Sequence, residues 1–330
     1  MLTWARLSYR QQRWELWLVA AGAAFVAVGM LWFTNELAGL RAASPECFPP
    51  DGASASCQPI LNRFYEAGGT AQSLLYATFV APFGMGVILG APIVAREIEG
   101  GTAQLAWTLG RSRITWLLRR IAFIAMVVGV LLGVLAVTSE LLAAALMPEA
   151  NLADDFTFNG QRGWLIVVRG VGALMVGMLV GAVIGRVLPA ILASALVIGL
   201  VFTGVSFAMD RWNTSEAITR RPMTAEGDSM AFDTSVLTVA YGIETGDGEF
   251  LTYEEFFRRG LDFQMNDEQG RIYMSQEDFE AGRFFGYETQ LVIPGSRYGE
   301  LTARDGLVVA LVGLVALGGT SLVVRRRRPV

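Results

Sequence analysis

Few side chains in this 330-residue chain could do chemistry, and their types restrict what that chemistry would be. There is no histidine, and all 26 basic residues are arginine. Without lysine no Gly-Lys-Ser/Thr phosphate loop can form. Without histidine there is neither a Ser-His-Asp triad nor a His-ligated zinc. The chain is therefore expected to hold no catalytic, cofactor or metal site of its own. Two acidic glycine turns, Gly246-Asp247-Gly248-Glu249 and Asn266-Asp267-Glu268-Gln269-Gly270, echo part of a calcium loop. Ile243 or Met265 would fall where the first carboxylate belongs, so both read as turns before helices. Glu140 and Arg169 lie inside long apolar runs. Charges in such surroundings find a partner or water. The two are expected to pair or to line one cavity, with snorkelling to headgroups as the alternative for Arg169.

The elements that must position these groups are apolar. Hydrophobic residues make up 53% of the chain and charged ones 17%, with mean hydropathy +0.44. A bilayer core about 30 Å thick takes about 20 apolar residues in helix. Six runs qualify, near Leu16–Leu37, Ser73–Ala95, Ile121–Leu146, Trp164–Gly185, Leu188–Met209 and Gly306–Val324. The expected fold is an all-α polytopic membrane protein with six transmembrane helices. Arg6, Arg10 and Arg13, then Arg96 to Arg120, then Arg186, then Arg325 to Arg328 all fall on one side of that topology. The positive-inside rule makes it the cytoplasm, so both termini are expected there. The arm TWARLSYRQQRWELW reads either as an interfacial amphipathic helix or as a plain topology anchor.

Residues 94–120, VAREIEGGTAQLAWTLGRSRITWLLRR, form the one sizeable cytoplasmic loop of this topology. Arg96-Glu97-x-Glu99-x-Gly101-Thr102, then Leu105, then Arg111-Ser112-Arg113 and an apolar helix resemble the first cytoplasmic loop of ABC exporter permeases of the ABC-type-2 class. The likeness continues in Trp4…Arg10-Gln11…Arg13, Cys47…Cys57…Phe64, Gly90-Ala91-Pro92, Arg186-x-Leu188-Pro189-Ala190 and Pro294-x-Ser296-Arg297-Tyr298, as in actinobacterial members. Gly100 after Glu99 and Arg169 depart from the pattern.

That resemblance implies a permease subunit in a bacterial plasma membrane. Its partners would be an ABC ATPase subunit in two copies, a second permease copy or a homologous permease, and membrane lipid, with no nucleic acid. ATP and Mg would be held by the ATPase. Arg96, Glu97, Glu99, Gly101, Thr102, Leu105, Trp107, Arg111 and Arg113 would form the ATPase-coupling element. Glu97 and Glu99 would face basic groups of the partner, Arg111 and Arg113 acidic groups or inner headgroups, and Leu105 and Trp107 an apolar groove. Thr102 suits an N-cap, and the glycine pair suits a sharp turn. The bland alternative is a solvated, arginine-rich loop. Apolar spans with few polar groups favour an amphipathic or hydrophobic substrate, and the resemblance implies that it moves outward.

The remaining features concern assembly and the outer side. Gly177, Gly181 and Gly185 recur every four residues, a spacing that serves close packing within the chain or a dimer seam. Cys47 and Cys57 flank FPPDGASAS outside the membrane, where an exported pair reads as a disulfide. The expected organisation is residues 1–209 as helices 1–5, with outer loop 40–72 and coupling loop 96–120. Residues 210–303 follow as a folded extracytoplasmic cap, mixed or mainly helical, and residues 304–330 as helix 6 with a basic tail. A mechanotransmission protein that moves its outer domain without transporting substrate is the alternative function. An intramembrane enzyme is a weaker third, since it would lack histidine and paired aspartates in a span.

Overall fold

The computed structural model describes residues 2–48, 54–101, 112–220, 236–262, 265–267 and 270–326. Helices dominate: α1 (Leu2–Ala43), α2 (Gln58–Met85), α3 (Ala91–Glu99), α4 (Arg113–Leu146), α5 (Leu165–Ile184), α6 (Val187–Glu216), the short α7 (Tyr253–Arg258) and α8 (Gln276–Glu280), and α9 (Tyr298–Arg326). Among the described residues, six stretches are long and apolar enough to cross a membrane: Gln12–Ala43, Ala55–Glu99, Arg113–Leu146, Leu165–Ile184, Val187–Glu216 and Gly295–Arg326. Five of them contain one of the expected runs, and the fourth falls one residue short of Trp164–Gly185 at each end. The second is longer than expected because polar residues from Gln58 onward continue the helix outside the apolar run. The N-terminal arm is helical, with a break at Gln12 (φ −120°, ψ 20°).

The chain divides into two compact units. The first contains residues 1–149, 158–205 and 302–330. Its centre is α5, whose glycines admit neighbouring backbone. A Cβ on Gly177 would sit 2.6 Å from the Gly86 carbonyl oxygen, and one on Gly181 would strike the carbonyl of Ala91. Both glycines therefore serve packing within the chain, against a π-helical turn (Gly86–Gly90) and α3. Gly185 does something different: it ends α5 in the left-handed region at φ 71°, where a Cβ is unfavourable. Around α5 lies a continuous core that includes Leu89, Ile124, Leu132, Ile166 and Leu174. Outward, Leu188, Leu192, Leu196 and Leu200 form one exposed stripe down α6. Four-residue spacing puts them on one face, as a hydrocarbon solvent requires.

Cys47 and Cys57 form a disulfide with Cα atoms 5.3 Å apart, linking the end of α1 to the start of α2. The Arg41 guanidinium covers the rings of Phe48 and Phe64 at 5.0 and 5.2 Å.

The second unit, residues 150–157 and 206–301, corrects the all-α expectation. Strands β1 (Ile218–Arg220), β2 (Leu237–Thr245), β3 (Phe250–Thr252), β4 (Met265–Asn266), β5 (Arg271–Tyr273) and β6 (Gly286–Ile293) form one antiparallel sheet. The order is β3-β2-β6-β5-β4, with β1 also on β6. The helices of this unit, α7 and α8, are short. Gly260 and Gly282, at φ 72° and 70°, follow α7 and α8 closely and turn the chain away. Ile243, Leu251, Phe256 and Ile272 form the core between sheet and α7. The acidic glycine turns are hairpin turns between strands: Gly248 (φ 81°) joins β2 to β3, and Gly270 (φ 70°) joins β4 to β5. Asp267 is consumed there, accepting from the Arg271 backbone N–H and Nε and from the Tyr273 hydroxyl.

Candidate functional site

Charged residues gather at the end of the first unit where α3 stops and α4 begins. The apolar side of α3 is buried through Ala91, Ile93, Val94 and Ala95. Its last turn carries Arg96, Glu97 and Glu99. Gly100 closes the helix by donating to the Arg96 carbonyl, and Gly101, whose N–H donates to the Ile98 carbonyl, then turns at φ 68°. Thus the glycine pair makes the sharp exit expected of it.

Each charge of that turn reaches a different helix. Arg96 forms an ion pair with Glu15 of α1. Glu97 Oε1 accepts from Arg120 Nη1 of α4 at 2.7 Å, with side chains only 5% and 4% exposed. Glu99 Oε2 accepts from the backbone N–H of Val187, the first residue of α6, at 2.8 Å. That N–H belongs to the first turn of a helix and has no intrahelical partner. On the far side of the loop, Arg113 Nη1 donates to the carbonyls of Val324 and Arg325 at 3.2 Å each. Those oxygens lie in the last turn of α9, where carbonyls are also orphaned and cations are favoured. Trp116 is buried beside the Arg120 guanidinium, 5.7 Å from its ring centroid.

This placement corrects the expectation for Glu97. Its carboxylate faces Arg120 inside the protein and is not presented to a partner. Arg96, Glu99 and Arg113 likewise have partners within the chain. Thr102, Leu105, Trp107 and Arg111 lie outside the described residues. Arg120 and Glu15 went unrecognised as site residues in the sequence. A signal for Arg120 exists: it lies four residues from Trp116 and four from Ile124, both buried, so helical spacing puts it on the buried face. Its neighbour Arg119 is exposed.

Glu140 and Arg169 do not pair with each other. Glu140 is bonded by Arg162 Nη1 at 3.1 and 3.3 Å. Arg169 Nη1 donates to the Gly160 carbonyl at 3.1 Å, and its guanidinium stands 5.6 Å from the Phe79 ring centroid. Arg162, almost fully buried, sits between α4 and α5 where no periodicity marks it.

Such a set of groups ties helices to one another. Removing two charges from water is costly unless their geometry and hydrogen bonds compensate. A pair buried this deeply resists separation, because parting it takes from each charge a partner inside the protein. Around it, Arg96, Glu99 and Arg113, which flank residues 102–111, bond to α1, α6 and α9. Among the described residues no cluster of three metal-ligating side chains occurs.

Among known families, the chain matches the one described as ABC-2 membrane transporter related, over residues 16–212. The matched region runs from within α1 through most of α6, and hence takes in the charge network except Glu15 and its α9 contact. No curated protein and no solved structure matches the chain.

Proposed function

The chain belongs to the ABC-2 membrane transporter related family, and from that premise we propose that it is the membrane-spanning permease subunit of an ATP-driven ABC exporter. Six apolar helices make it a multi-pass membrane protein. The proposed membrane is a bacterial plasma membrane, with both termini and residues 96–120 on the cytoplasmic side and the sheet unit on the other. A separate ATPase subunit, in two copies, would hold ATP and Mg and hydrolyse ATP. A second permease copy or a homologous permease would complete the path. The chain itself would not be an enzyme.

The observation that carries this reading is the bonding of both ends of the 102–111 segment into the helix bundle. A solvated loop needs no buried ion pair at its base. A segment that receives force from an ATPase does, because compliant ends would dissipate the motion. The substrate class follows from polarity. The buried hydroxyls of Thr138, Ser139, Ser194 and Thr320 are bonded to helix carbonyls. Groups already satisfied in this way offer little to replace the hydration of a small ion. An amphipathic or hydrophobic molecule therefore suits the bundle better.

The test is reconstitution with a membrane-free ABC ATPase from the same source. Inverted vesicles should accumulate an amphipathic fluorescent dye when ATP is added. Failure of the two proteins to associate, together with no ATP-dependent accumulation, would overturn the reading.

A further inference from the structure

The connection between α4 and α5 rejoins the first unit at residue 158. Phe158, Gly160 and Gly163 all take positive φ, at 58°, 76° and 74°. For phenylalanine that conformation is unfavourable and persists only where the surroundings impose it. The surroundings here are several helices. Phe158 packs against the apolar cluster that Leu37, Phe64 and Leu142 form between α1, α2 and α4. The Gln161 carbonyl accepts from the Thr78 hydroxyl of α2. The Gly160 carbonyl accepts from Arg169 of α5. Arg162, 2% exposed, bonds Glu140 of α4. The Trp164 ring lies where a Cβ on Gly306 of α9 would be.

This segment is therefore inserted into the end of the bundle opposite the charge network and tied to its helices by side chains. Its polar groups are incompletely satisfied: Asn159 Oδ1 and Gln161 Oε1 are buried and accept no hydrogen bond. Buried acceptors without donors disfavour the inserted arrangement relative to one in which they meet water. Glu140 is 39% exposed on its side chain, so the ion pair that holds the segment lies at its edge, within reach of solvent.

We propose that residues 158–164 are a latch that closes this end of the helix bundle, held by Glu140–Arg162, and that it releases when the bundle opens to discharge substrate. The second clause rests on the transporter reading; closure itself does not. α4 supplies the mechanical link, since it carries Arg120 in the charge network and Glu140 at the latch. A shift of α4 driven from residues 102–111 would pull on the pair that keeps the latch seated.

The experiment uses the full-length chain with Thr78→Cys, a fully buried reporter directly beneath the latch. The probe is a bulky hydrophilic maleimide, applied without reductant so that Cys47 and Cys57 stay bonded. In detergent, Thr78→Cys should react slowly. Adding Glu140→Gln or Arg162→Gln should raise the rate about tenfold or more, and the exchange Glu140→Arg with Arg162→Glu should bring it back down. A second reporter, Ser194→Cys, buried between α5 and α6, should not respond. If the neutral variants leave the Thr78→Cys rate unchanged, or raise Ser194→Cys equally, the latch is refuted, whatever the chain transports. In the complex reconstituted with its ATPase, Thr78→Cys should react faster during ATP turnover. Dye transport with an unchanged labelling rate would refute release during the cycle while leaving the transporter reading standing.

Discussion

Arg120 and Glu140 stand on one helix, about 30 Å apart at 1.5 Å per residue, and each is held by a partner from outside that helix. Glu97 holds Arg120 at 2.7 Å, and Arg162 holds Glu140 at 3.1 Å. The spacing is close to the thickness of a bilayer's hydrocarbon core, about 30 Å. α4 is thus anchored near both ends by ion pairs, with apolar packing between them.

The Glu97–Arg120 pair gives the first prediction. Arg120→Met strands a buried carboxylate, and such losses cost about 3–5 kcal/mol. Scanning fluorimetry of the purified chain should show a large drop in unfolding temperature. Combining it with Glu97→Leu should recover most of the loss, because an apolar pair leaves no stranded charge. Arg119→Gln, on the exposed side of the same helix, should change stability by less than about 0.5 kcal/mol. If Arg120→Met melts no earlier than Arg119→Gln, the buried pair does not hold α3 to α4.

The glycines of the bundle should separate into two behaviours. Gly181→Ala places a methyl against the Ala91 carbonyl, and overpacking of this kind costs about 1–3 kcal/mol. On α4, Gly133 has open space where its Cβ would go. There Ala should be neutral or stabilising, since Ala exceeds Gly in helix propensity by about 1 kcal/mol. Equal unfolding temperatures for the two variants would contradict the packing described for α5.

Much of the helical architecture was legible in the sequence because apolar length alone identifies a bilayer-spanning helix. Five of the runs lie within helical stretches, from Leu16–Leu37 in α1 to Gly306–Val324 in α9, and Trp164–Gly185 exceeds α5 by one residue at each end. Their ends were less legible: Gln58 to Gln72 is helical without being apolar, so hydropathy passes over it. In the second unit the alternation in LTVAYGIET did mark β2. The run TYEEFFRRGLDF has a helical pattern longer than the six residues of α7, because Gly260 turns the chain at φ 72°. At the candidate site the charges flanking the loop were identifiable, but their partners were not. Glu97 and Arg120 meet only because α3 and α4 pack side by side, a relation that no spacing within either helix encodes. Arg162 lay in a connection with no pattern at all.

The cysteines provide a test independent of the bundle. Alkylation followed by mass spectrometry should find Cys47 and Cys57 protected until a reductant is added. Reduction should then lower stability by about 2–3 kcal/mol, the range expected for closing a short loop. Free alkylation of both thiols without reductant would contradict the bridge.

The central claim, that residues between α3 and α4 receive force from an ATPase, is tested most directly at Trp107. The measurement is co-purification of the Trp107→Ala chain with its ATPase, followed by ATP hydrolysis with and without the amphipathic dye. Truncating an aromatic anchor typically costs about 2 kcal/mol or more, equivalent to roughly a 30-fold loss of affinity. The variant should insert and melt like wild type yet either fail to retain the ATPase or retain it without dye-stimulated hydrolysis. Arg258→Ala, at an exposed position of the sheet unit, should behave as wild type. If Trp107→Ala binds the ATPase and responds to dye as the unaltered chain does, residues 102–111 do not couple the two proteins and the exporter account fails at its mechanical centre.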